Sequence, residues 1–213
     1  MKNVKLFESD FDEAVSPVVG VMLMLVVTII IAAVVSGFAG GVMTSQDKTP
    51  QATIKGTFSL ADGMRITHTG GDPLPMHKIV FSISDGETFG PDVATVTKQT
   101  LNMSTMEFSN SDGVRESVMG PSRSYNVTSL IAGDSLYISG ENCAPDLLQP
   151  SICPSDYDTY GDPDTYSYDG AGAYQNRWSL CLQNTDSLGK DFVLTLSDTS
   201  GNLIAKTTVT VTS

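Results

Sequence analysis

Four acids crowd one short stretch of this sequence: Asp156, Asp158, Asp162 and Asp164. Alternating aspartates offer hard oxygen ligands, and Asp156, Asp158 and Gly161 match the opening spacing of a calcium loop. Tyr160 then stands at the third ligand position and Ser167 where the closing acid belongs, so the loop departs from an EF-hand. A looser calcium site on the four aspartates stays open beside the plainer reading, a solvated surface loop. The same acids would serve a glycosidase only across a cleft with opposed carboxylates. No Gly-x-Ser-x-Gly, His-Glu-x-x-His, phosphate loop or Cys–His constellation occurs, so no catalytic residue and no enzyme is expected. Apart from calcium, no cofactor is expected either.

Three cysteines follow a similar logic. Cys143–Cys153 would close a short loop, whereas Cys153–Cys181 or Cys143–Cys181 would staple a longer one. One cysteine is left over, and spacing does not choose the pair. Zinc is not expected: there is no Cys-x-x-Cys, and the histidines, His68 and His77, lie far from the cysteines in sequence. In His68-Thr69-Gly70-Gly71-Asp72-Pro73-Leu74, His68 and Asp72 suggest an acid–base or metal pair. Glycines that reach positive φ, followed by Asp-Pro, favour a tight turn instead. Two Asn-x-Ser/Thr sequons, at Asn102 and Asn126, are glycan candidates if the domain is exported.

The element that must position all of this is an apolar run without charge from 15 to 46. Residues 18–35 alone qualify as a membrane-crossing candidate. Such a helix must lie in lipid or pack against copies of itself. Pro17 sits near its start, where a missing N–H is harmless. Ala33, Gly37 and Gly41 recur four apart, a spacing that lets helix backbones approach closely; Gly40-Gly41 also reads as a plain helix stop. Residues 1–14 form a short, mostly polar leader with no apolar core and no Ala-x-Ala site, unlike a secretory signal. Hydropathy alone would call the run a membrane anchor.

Beyond a polar joint at 44–50, the pattern changes to short alternating runs between Gly- and Asp-rich turns. Candidate strands are 52–60, 64–68, 77–84, 92–97, 114–118, 125–129, 135–139, 178–182, 192–196 and 203–211. The expected fold is a long N-terminal hydrophobic α-helix followed by an all-β sandwich or barrel-like domain. The division is 1–14 leader, 15–46 helix, and 47–213 β domain, with a Tyr- and Asp-rich surface insertion at 141–176. Among 213 residues, 12 Lys and Arg face 24 Asp and Glu, a formal charge of −12. That balance argues against nucleic acid as a partner and suits salty surroundings, where repulsion is screened.

The block Glu13-Ala14-Val15-Ser16-Pro17-Val18-Val19-Gly20 resembles the processing site and mature N-terminus of archaeal type IV prepilins, the pilin family of haloarchaea and methanogens. The resemblance implies cleavage between Ala14 and Val15 by a membrane prepilin peptidase. The precursor would sit in the cell membrane, and the helix would then self-associate as the core of an extracellular, adhesive filament. The His68–Leu74 segment is similar to a turn found early in the β domain of such pilins. Val19 marks a departure: bacterial pilins carry an acid near there, and this helix has none, so assembly must rest on apolar packing. Each buried Val, Leu or Ile is worth about 1.5–3 kcal/mol. The competing expectation is a membrane-anchored extracellular β domain that binds a ligand or ion through 141–176. An archaellin fits the Ser16-Pro17 start less well.

Overall fold

The computed structural model describes residues 17–41, 48–152, 161–162, 167–168 and 173–213. The chain divides into two units, Met1–Lys48 and Thr49–Ser213. The first is helix α1, Pro17–Gly41. Its 25 residues rise about 37 Å at 1.5 Å each. Proline opens it, where the lost donor costs nothing, and no polar face interrupts it.

The second unit is a large curled sheet. Its strands are β1 (Ala52–Ser59), β2 (Gly63–Gly71), β4 (Ile79–Asp85), β5 (Gln99–Thr100), β6 (Glu107–Ser109), β7 (Arg115–Ser117), β9 (Ser135–Ile138), β12 (Asp191–Asp198) and β13 (Leu203–Thr212). They lie in the order β5-β4-β12-β13-β1-β2-β9-β6-β7. β1 and β13 run parallel, while the other neighbours are antiparallel. A small second pair joins β3 (Leu74–Pro75) to β8 (Ser129–Leu130). Another joins β10 (Gly161–Asp162) to β11 (Ser167–Tyr168).

Period-two alternation explains which face closes. Met64, Ile66 and His68 of β2 point inward, as do Phe81 and Ile83 of β4 and Phe192, Leu194 and Leu196 of β12. One hydrophobic cluster takes residues from β4 and from β9, strands far apart in the order, so the sheet folds over onto itself. Phe58 and Phe192 meet edge to face at its centre, with ring centroids 5.7 Å apart. Two glycines permit this closure. Gly63 ends the β1–β2 turn at φ +89°, with the Ile138 carbonyl 2.2 Å from where a Cβ would stand. Gly56 lies among inward residues of β1, and a Cβ there would come within 2.4 Å of Val209 Cγ2.

Several expected strands differ. Residues 92–97 form a turn ahead of β5. Residues 178–182 are the end of a short helix, α3 (Ala173–Trp178), and a turn. In both, apolar alternation misled because neither segment finds a ladder partner. The start of 141–176 is not a solvated loop either. There a one-turn helix, α2 (Pro145–Leu148), opens on proline at its first position. Cys143, Leu148, Gln149 and Ile152 are all buried. The acidic, tyrosine-rich composition further along hid this short apolar anchor.

Candidate functional site

Helix α1 exposes apolar side chains on every side. Val18, Met22, Met24, Ile29, Val35 and Phe38 are each more than half exposed, and none of its described side chains is buried. Thr28 satisfies its own hydroxyl by donating to the Leu25 carbonyl at 2.9 Å, so it asks nothing of water. Pro17–Phe38 is long and apolar enough to cross a membrane. A Cβ added at Gly37 would meet nothing within 4 Å. Among the described residues, nothing therefore requires a small residue there. For Ala33 the surroundings are equally open, since it is exposed. The side-chain surroundings of Gly41, and the processing residues Glu13, Ala14, Val15 and Ser16, lie outside the described residues.

The other sequence candidates separate. His68 is fully buried on β2, and among the described residues neither ring nitrogen has a hydrogen-bond partner. Asp72 is exposed at the strand end, where its Oδ2 accepts from the Gln51 N–H at 3.1 Å. The two do not form an acid–base or metal pair. Asp72 instead closes the start of the β1–β2 ladder, and Gly71 beside it adopts φ +108°. Asn102 and Asn126 are both exposed. Asn102 Oδ1 accepts from the N–H and the hydroxyl of Ser104, at 3.0 and 2.8 Å. Asn126 Nδ2 donates to the Ser117 carbonyl at 3.0 Å.

Cys143 is a free, buried thiol whose Sγ donates to the Ile138 carbonyl at 3.6 Å. Burial pushes that thiol up to about 12. Cys181 is buried as well, and Cys153 lies outside the described residues. So do Asp156, Asp158 and Asp164, and the side chain of Asp162. Among the described residues, no group of three or more His, Cys, Asp or Glu could hold a metal.

Two clusters escaped sequence reasoning. In the first, the Asp85 carboxyl, 1% exposed, accepts from Gln149 Nε2 at 3.2 Å through Oδ1, while Oδ2 has no partner among the described residues. Gln149, also 1% exposed, takes the Leu182 N–H on Oε1 at 2.7 Å. Burial raises Asp85 to about 7, against the opposing pull of the Gln149 bond and the Lys190 charge. A carboxyl this enclosed meets no substrate; it ties β4 to α2 and to the segment after α3. In sequence it showed only as Asp85-Gly86, a turn signal. The second cluster is an arginine-flanked tyrosine, Tyr137, on the outer sheet face, visible in sequence only once the strand register is known.

With this geometry in hand, the chain can be set beside known proteins. Residues 13–54 match the family model described as archaeal type IV pilin, N-terminal. The pilin N-terminal match thus begins at Glu13, spans all of α1, and ends inside β1. An uncharacterized protein of Archaeoglobus fulgidus is 39% identical over 66 residues, which cover 30% of this chain and 46% of that protein. The chain spans about half the length of that relative. The pilin family is one of structural rather than catalytic proteins.

Proposed function

We propose that the chain is a structural subunit of an archaeal type IV pilus-like filament, held together by helix α1 and displaying the β domain outward for adhesion. The observation that carries this reading is one helix that is both the pilin N-terminal match and apolar on every exposed side. In the precursor such a helix rests in the membrane. After cleavage between Ala14 and Val15, it exchanges lipid for neighbouring helices. Apolar area alone supplies that exchange with little gain, because lipid is as apolar as leucine. Close backbone approach along Ala33, Gly37 and Gly41 supplies the remainder.

Substitution separates the two stages. Ala14→Lys blocks processing and leaves full-length chain in membranes. Gly37→Leu leaves the isolated chain folded, since nothing lies near that position, but depletes sheared filaments. Filaments formed normally by uncleaved Ala14→Lys chain would refute the mechanism. Parent chain that keeps residues 1–14 and stays only in membranes would favour an anchored β domain that binds a ligand or ion.

A further inference from the structure

The outer face of the sheet carries a row fixed by register: Thr57 on β1 faces Arg65 on β2, Arg65 faces Tyr137 on β9, and Tyr137 faces Glu107 on β6. Arg65 holds its guanidinium over the Tyr137 ring, 5.1 Å from the centroid, and Arg115 of β7 does the same at 4.6 Å. Arg65 also donates to the Ser135 hydroxyl at 3.4 Å. Thr57, Arg65, Glu107, Arg115 and Tyr137, with Asp62, line a surface groove of about 550 Å³. Both arginines are exposed, and among the described residues neither forms an ion pair with a carboxylate. In a chain of formal charge −12, two guanidinium groups stacked on one tyrosine without an ion pair are conspicuous.

We propose that this groove binds an acidic carbohydrate, a uronate-type sugar, through Arg65 and Arg115. A guanidinium fork matches a carboxylate with two parallel hydrogen bonds, and stacking on Tyr137 orders both forks before any ligand arrives. Asp62, Glu107 and Thr57 accept hydrogen bonds from sugar hydroxyls. A polyacidic peptide has no hydroxyls to offer these two acids. A neutral sugar leaves the arginines unsatisfied. The volume lies within the range of small-ligand sites, about 300–1,000 Å³. This deepens the adhesion reading and rests on it for its setting at the cell surface.

The test is calorimetric titration of the full-length chain in detergent micelles with a mannuronate hexasaccharide. A neutral mannose hexasaccharide and poly-L-glutamate serve as the comparison probes. The expected result is binding of the uronate alone, weakened about tenfold or more by Arg115→Ala and by Arg65→Ala. Arg115→Lys, which keeps the charge and loses the fork, falls between. Lys55→Ala, exposed on the same sheet face, changes nothing. The proposal is overturned if the uronate does not bind, if either comparison probe binds as tightly, or if the arginine variants bind like the parent. The titration uses unassembled chain, so its failure leaves the filament reading standing. Failure of filament assembly likewise leaves a positive titration standing.

Discussion

Asp85 gives the sharpest handle on the energetics of the β domain. Its carboxyl is buried, half-satisfied by Gln149, and titrates at about 7 rather than 3.8. The folded state therefore holds this proton more tightly than the unfolded chain does. Between about pH 4 and pH 7 the native state binds more protons, so stability falls as pH rises through that window and flattens above it. A shift of about three pH units corresponds to about 4 kcal/mol at 1.4 kcal/mol per unit. Asp85→Asn keeps the shape and removes the titration. Urea unfolding of the β-domain signal, at pH 4.5, 6 and 7.5, should show the parent losing about 3 kcal/mol more than the variant across the series, since pH 4.5 to 7.5 spans most but not all of the shift. Repulsion among the remaining acids is common to both chains and cancels in the difference. Parallel slopes for parent and variant would refute the reasoning, as would a parent that gains stability on the variant toward pH 7.

Gly56→Val should destabilise the domain by about 1–3 kcal/mol, because the new side chain meets Val209 inside a closed core; a urea midpoint checks it. Cys143 should resist maleimide or iodoacetamide in native protein at pH 8 and react only in denaturant, since it is buried and its thiol lies at about 12. Glycopeptide mass spectrometry should find higher occupancy at Asn102 than at Asn126. Asn102 Nδ2 bonds to nothing among the described residues, whereas Asn126 Nδ2 must give up the Ser117 carbonyl.

What the sequence disclosed follows from how local each signal is. Helix α1 is legible because an uncharged apolar run needs no tertiary information, and α1 begins at Pro17. Strands β1, β2, β4, β12 and β13 alternate over seven or more residues, and their inward faces are the ones the pattern marks. The two- and three-residue strands carry too few alternations to be distinguished from turns, which is why 92–97 reads wrongly. His68 looked like a site because histidine and aspartate stood close in sequence. The pleat sends His68 into the core, while Asp72 lies exposed past the end of β2. Arg65, Tyr137 and Arg115 are separated by up to 72 positions in the chain and become neighbours only through register across β2, β9, β6 and β7. Gln149 is hidden for the same reason: its partners, Asp85 and Leu182, come from segments distant in sequence.

Release of α1 from a leader, before it becomes the core of a filament, would leave its mark at the N-terminus. The most direct measurement is the N-terminus of the chain in a sheared extracellular fraction, by intact mass and N-terminal peptide analysis. The account predicts a chain that begins at Val15 and sediments in high-molecular-weight filaments. A chain still carrying residues 1–14 and found only with membranes would contradict it.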